Sequence, residues 1–281
     1  MLSKSFTIFT LLFYFFGGFS QNALNITNKM FEKAKTINSL SFKIISKERF
    51  GTEYKLVEAF LKIQINPTKI YYKQLIPQTG AEMLINERYR KKALVNPNSF
   101  PWINIELNPM GKTMRNNQHH SIYEAGFNYF INILNYLFEK NKSNIHKLVI
   151  YKGTIDLQGI SCYKIEFNNP SFSITSYTVK ETCTVSSLAC KLHVCDYHIL
   201  ERNTDYTDYL DKISSGTVLN IPSDYAKKLI LLIDKSTCLP IFMEVYDDKG
   251  LFEQYRFLET KINPPFTEAD FSRNNNDYGF K

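Results

Sequence analysis

"SYTVKETCTVSSLACKLHVCDYHILERN", residues 176–203, decides how the chain is divided. Val185, Leu188, Ala189 and Leu192 share one helical face, and Tyr197, Ile199 and Leu200 lie on a second short helix. "SYTV" reads as a strand before them and "GTVLNIP" (216–222) as a strand after them. The flanks are different in kind. "KLVIYKGTIDL" and "GISCYKIEFNN" precede the stretch, and "KKLILLID", "LPIFMEVYDD" and "LFEQYRFLETKIN" follow it, all strand-like runs with short turns. A sheet is therefore interrupted and then resumed, and 176–223 is a small βααβ unit set into a host made of 21–175 and 224–281. Inserted modules return the chain close to where it left. This predicts that 176–223 can be excised while the host still folds.

Upstream, Leu24, Phe31 and Ile37 lie near one face of an opening helix. The period then changes to that of strands in "SFKIISKERF", "EYKLVEAFLKIQIN", "KIYYKQL", "AEMLIN" and "KKALVN". In the second of these, Leu56, Glu58, Phe60, Lys62 and Gln64 do not alternate cleanly, so one face is more apolar than the other but not exclusively so. Ser121 and Glu124 have the spacing of a capping box. Tyr123, Phe127, Phe130, Ile131, Leu134, Leu137 and Phe138 then form an apolar stripe, predicting a helix from there to about Lys140. Short turns between strands favour an antiparallel α+β fold over parallel βαβ units. A curved sheet covered by helices encloses an apolar concavity, with Tyr123, Phe127 and Phe130 in its helical cover.

The formal charge is +7 and the only Lys/Arg run is "RYRKK" at 88–92, too little for a nucleic-acid groove. The first twenty residues read as a secretory signal: Lys4, the apolar "FTIFTLLFYFFGGF", and small residues before a cut between Ser20 and Gln21. The apolar run is shorter than the roughly 20 residues that span a bilayer. The mature chain is expected in the periplasm or cell envelope of a Gram-negative bacterium, with no transmembrane segment. There, Cys162, Cys183, Cys190, Cys195 and Cys238 meet an oxidising compartment that permits disulfides, one cysteine being left over.

Among candidate reactive groups, His119-His120 is the most enzyme-like, since histidine ligates metals and moves protons. Neighbouring residues point differently and spacing fixes no acidic partner, which favours a structural or ligand-edge role. Cys183, Cys190, His193, Cys195 and His198 do not pair into a zinc-site spacing. No nucleophile elbow, phosphate loop or metalloprotease motif is present, so no cofactor, metal or catalytic residue is assigned. Trp102, beside Pro101 in an apolar stretch, reads as core.

Residues 176–222 resemble a LysM domain in Tyr177-x-Val179, Glu181-Thr182, Ser187-Leu188-Ala189, Val194, Ile199-Leu200-x-x-Asn203 and Gly216-x-x-Leu219-x-Ile221-Pro222. Lys180 stands where that family has glycine. The resemblance implies binding of peptidoglycan or another N-acetylglucosamine glycan by Glu181, Thr182 and Cys183 with Asn203, Thr204 and Asp205. The host segments "GAEMLIN", "KALVNPNSFPWINIELNPMGKTMRNNQHHS" and "FTEADFS" resemble the family of exported proteins called domain of unknown function fifteen seventy-one. Its overall pattern is similar to the LolA-like lipoprotein carriers, which implies a half-barrel sheet over a cavity for acyl chains. The expected protein is thus a non-enzymatic envelope protein. Its insert would hold glycan, and its host an apolar or lipidated ligand. Alternatives are a glycan or lipid hydrolase using His119/His120, and an interaction module whose cavity is filled.

Overall fold

The computed structural model describes residues 8–87, 92–100 and 102–280, with side chains from residue 22 onward. Helix α1 (Ile8–Lys35) leads into β1 (Ser39–Phe50), β2 (Glu53–Gln64), β3 (Lys69–Ile76), β4 (Glu82–Asn86), β5 (Ala93–Asn96) and β6 (Ile105–Leu107). A 3-10 turn (Ile122–Glu124), α2 (Phe127–Lys140) and α3 (Ile145–Leu148) precede β7 (Val149–Leu157) and β8 (Ile160–Asn168). Next come β9 (Ile174–Thr178), β10 (Cys183–Thr184), α4 (Val185–Leu192), α5 (Asp196–Arg202), β11 (Lys212–Ile213) and β12 (Val218–Pro222). The chain closes with β13 (Lys228–Asp234), β14 (Pro240–Asp247), β15 (Gly250–Ile262) and a second 3-10 turn (Glu268–Phe271).

Among the described residues, eleven strands form one sheet in the order β6-β5-β4-β3-β2-β1-β15-β14-β13-β8-β7. Every neighbouring pair is antiparallel, as short hairpin connections require. With its few helices the protein is α+β. Helices α1 and α2 cover one face. On α1, Ala23, Ile26, Met30, Phe31, Ala34 and Ile37 are buried, while Leu24 lies at the margin of that stripe. Phe31 meets Phe138 of α2 edge-on at 5.3 Å, and Phe127 packs on Phe42 and Phe257 of the sheet.

Helix α2 starts later than its sequence suggests. Glu124 accepts the Ser121 backbone N–H at 2.7 Å, but the turn it closes is 3-10 and gives way to extended backbone at Ala125. Gly126 then takes a φ of 91°, and a Cβ there would lie 3.4 Å from Leu40 Cδ1. Glycine supplies both the conformation and the clearance, and the helix begins at Phe127.

The mixed pattern of β2 has a simple cause. Val57, Ala59, Leu61 and Ile63 are buried against the helices. The reverse face of the sheet is covered too, by the C-terminal tail, where Phe271 and Phe280 pack with Tyr71, Leu84, Leu94 and Phe60. Lys62 and Lys69 pair with Asp270 and Glu268 of that tail at 2.9 and 2.6 Å.

The interrupting segment sits between strands that pair directly. Asn168, where the chain leaves β8, faces Lys228, where it re-enters at β13. Strands β9 and β12 pair with each other, and Val179, Val185, Leu188, Ala189, Ile199, Ile213, Leu219 and Ile221 make a small core of their own. Its α5 side, however, is sunk into the host. Arg115, buried in the loop before the 3-10 turn, donates to both oxygens of Asp196 at 2.7 and 2.6 Å under the ring of Tyr209. Arg49 of β1 donates to both oxygens of Asp247 at 3.0 and 2.5 Å, and Arg202 reaches Asp247 and Asp248 at 3.3 and 2.5 Å. His198 stacks on Phe252 at 3.7 Å.

Two further expectations are corrected. Trp102 is 58% exposed, in a loop that also exposes Phe100 and Ile103. The β5–β6 connection belongs to the edge of the sheet, where Trp102 lines a shallow polar concavity and is not covered by the core. All five cysteines are free: Cys162, Cys183, Cys190, Cys195 and Cys238 are on separate elements or faces, and none is paired.

Candidate functional site

Strands β1 and β15 bring two acids face to face. Glu48 pairs in register with Glu253, and both are buried. Like charges directly opposite on a sheet repel, and burial removes the water that would screen them. The loop at 118–121 supplies the compensation. The His119 backbone N–H donates to Glu48, whose other oxygen accepts from Tyr255 Oη at 2.7 Å. His119 Nδ1 lies 2.9 Å from Glu253 Oε1 and its Nε2 donates to the Arg49 carbonyl at 2.7 Å. His120 Nε2 is 3.1 Å from the same Glu253 oxygen and 3.1 Å from Tyr225 Oη, which donates to Glu253 Oε2 at 2.8 Å. His120 Nδ1 faces Glu124 at 3.5 Å.

The charge states follow. Burial alone would lower His120, but the Glu253 charge and contacts to Glu124 and Glu253 outweigh it and hold the imidazole well above its usual value. Burial alone would raise Glu253, yet His120 and His119 keep its carboxyl below the carboxylate range. Glu124 is lowered in the same way, with His120 overcoming its burial. A cationic His120 has no lone pair with which to take a proton from a nucleophile. His120 thus neutralises buried acids and is not set up as a general base.

The network closes one end of a cavity of about 80 Å³ between the sheet and the 3-10 turn with α2. Ile44, Val57, Ala59, Leu61, Met243 and Phe257 form its floor, and Ile122, Ala125, Gly126, Tyr129 and Phe130 its cover. Glu48, Gln118, His120, Ser121, Glu124 and Tyr255 form its polar end. A second cavity of about 270 Å³, lined by Pro77, Met83, Val95, Ile105, Leu107 and Met114 among others, shares Tyr72, Gln118 and Ile122 with the first. Gln118 Nε2 donates to Tyr72 Oη at 3.2 Å in that common wall.

Of the three residues expected to line a cavity, Phe130 does so. Phe127 lies beneath it, fully buried between Phe42 and Phe257, and Tyr123 packs beside the core. The residues that sequence reasoning missed are Glu48 and Glu253. For Glu48 the signal was an acid on the inward phase of its strand, two residues from Ser46 and four from Ile44. His119, Cys195 and Glu253 bring ligand-type atoms within 4.8 Å of one another. Both nitrogens of His119 are already bonded, and burial, then Glu253 and Asp196, push the Cys195 thiol well up. The trio fits a packed polar core better than a chelate.

The residues read as a glycan site lie in two loops. Glu181 and Thr182 are exposed and Cys183 half-buried; Glu181 pairs with Lys191 at 2.5 Å, and Thr182 Oγ1 accepts the Ser215 N–H at 3.3 Å. Thr204 and Asp205 are exposed. The Asn203 amide is committed: Nδ2 donates to the Ile199 and Asn220 carbonyls at 2.7 and 2.8 Å, and Oδ1 accepts the Asn220 N–H at 2.9 Å. It fastens α5 to β12. No helix among the described residues is long and apolar enough to cross a membrane.

Residues 200–280 match the family model described as "Protein of unknown function (DUF1571)". The matched stretch takes in "FTEADFS" and starts within α5, inside the expected insert. No curated protein matches the chain. Among solved structures it is similar to lipoprotein LppX of Mycobacterium tuberculosis, at 12% identity and a TM-score of 0.42 over 88% of this chain and 98% of that one. It is also similar to an uncharacterized conserved protein from Thermus thermophilus, at 10% identity and 0.40 over 92% and 96%. A LolA superfamily protein from Nitrosomonas europaea aligns at 10% identity and 0.34 over 89% and 97%.

Proposed function

We propose that this is a non-enzymatic, exported envelope protein that holds an apolar or lipidated ligand between its sheet and the 3-10 turn with α2. The supporting observation is the pair of cavities sharing Tyr72, Gln118 and Ile122. The smaller alone is below the about 150 Å³ that admits a benzene ring. An acyl chain therefore needs both, which requires the wall shared by Tyr72, Gln118 and Ile122 to give way. Each Å² of apolar surface removed from water contributes about 25 cal/mol, so such a chain binds without any catalytic group. Purified, delipidated mature protein should take up the neutral probe N-phenyl-1-naphthylamine with enhanced fluorescence. Ala125→Trp, which fills the cover of the smaller cavity, should abolish the uptake with little change in melting temperature. Absence of probe binding to the unaltered protein would end this reading.

The second part of the proposal is that the LysM-like βααβ unit contacts peptidoglycan through Glu181, Thr182, Cys183, Asn203, Thr204 and Asp205. It is supported by the order β9, α4, α5, β12 around a separate small core. Co-sedimentation with purified peptidoglycan should be lost when Thr182 and Asp205 are replaced by Arg and Lys. Equal pelleting of both proteins would refute it.

A further inference from the structure

Ser121 is 2% exposed and lines the smaller cavity; its Oγ faces the Glu124 N–H in a capping box without completing a hydrogen bond to it or to any other group. A buried hydroxyl left unbonded is costly, and native structures rarely keep one without a use. Its surroundings are one-sided. The carboxylates of Glu48 and Glu124 line the same cavity, and Glu253, the register partner of Glu48, meets the imidazoles of His119 and His120. The ring nitrogens of the two histidines are already committed: His120, at the cavity wall, to Glu253, Tyr225 and Glu124, and His119 to Glu253 and the Arg49 carbonyl. Tyr255 Oη is committed to Glu48 and Tyr72 Oη to Gln74 at 3.3 Å. An anionic head group would find carboxylates and almost no free donor. A hydroxyl, amide or ammonium head finds an acceptor and donor in Ser121 Oγ and a negative field.

We propose that the cavity selects amphiphiles with an uncharged or cationic hydrogen-bonding head and rejects carboxylates, with Ser121 Oγ as the anchor. This rests on the apolar-ligand reading above and names the class of ligand. The test is displacement of N-phenyl-1-naphthylamine from the full mature protein at pH 7.5 by 1-dodecanol, dodecanamide and dodecanoate, each below its aggregation limit. The alcohol and amide should displace the probe at concentrations at least tenfold lower than dodecanoate. Ser121→Ala should weaken the alcohol three- to tenfold more than it weakens dodecanoate or the probe itself. Glu124→Gln should strengthen dodecanoate, and this second variant reports on the field even if the first fails to fold. Dodecanoate displacing as well as the alcohol, or Ser121→Ala leaving the alcohol unaffected, overturns the head-group selection while the apolar-ligand reading stands. No probe binding at all removes both.

Discussion

Two buried polar regions lie against the helix-covered part of this molecule, and they are built on opposite terms. Beneath α5, Arg115 and Asp196, and Arg49 and Arg202 with Asp247, meet in bidentate or shared contacts with Tyr209 and Phe252 packed over them. Beneath the 3-10 turn and α2, the carboxylates of Glu48 and Glu253 are balanced by two histidines, yet a cavity and an unbonded hydroxyl remain. The first arrangement fastens one part of the chain to another. The second keeps space and a spare hydrogen bond. The difference between the two is therefore the space left beside the charges, which the cavity region keeps and the packed joint does not.

The largest test of that contrast is excision. The sequence pattern alone predicts a removable insert, but α5 carries Asp196 into the host and Cys195 into its main core. Replacing 176–223 by a short linker strands Arg115 in a buried site. The expected result is loss of a cooperative thermal transition; a native-like melt would show the joint to be dispensable. Next is the pair itself. Arg115→Ala leaves Asp196 buried beside Ser186 alone, and removing one member of a buried pair costs about 3–5 kcal/mol. Urea denaturation should show this, and Arg115→Met with Asp196→Leu should recover most of it.

The binding region predicts a pH effect instead. The raised His120 contributes stability fully present below about pH 6.5 and lost as pH rises through its folded value. The lowered Glu253 contributes stability present above about pH 4.3 and lost as pH falls through its folded value. His198, held low chiefly by burial, opposes folding as pH falls below about 6.5. Subtracting a His120→Gln variant isolates the first effect. Above pH 6.5 the stability gap between the two proteins should shrink by at most about 1.4 kcal/mol per pH unit. A gap constant to pH 9 would mean that His120 is neutral. The smallest effect concerns Asn203. Asn203→Ala should cost about 1 kcal/mol through its lost hydrogen bonds and leave probe binding untouched, which chemical denaturation and fluorescence check together.

How much of this was legible in the sequence differs by element. Strand runs and the stripe from Phe127 to Phe138 are periodic, and period survives in any context. The start of α2 was misplaced because Gly126 overrides the Ser121–Glu124 signal through a close approach to Leu40, a tertiary fact. The acid facing His119 and His120 was invisible for another reason. Glu253 reaches them only through the register of β15 on β1, and no local spacing encodes that pairing. Trp102 failed as core because it belongs to the edge of the sheet, where the core does not cover it.

The meeting of Asn168 and Lys228 has a mechanical consequence. A load applied to the βααβ unit reaches the host first at adjacent ends of β8 and β13. Pulled there, an antiparallel pair opens like a zipper, one pair of bonds at a time. The bidentate contacts of Arg115 with Asp196 and the Arg202 contacts with Asp247 and Asp248 lie in parallel with those strand ends. They share the tension, so peeling the sheet from that end also loads the joint under α5.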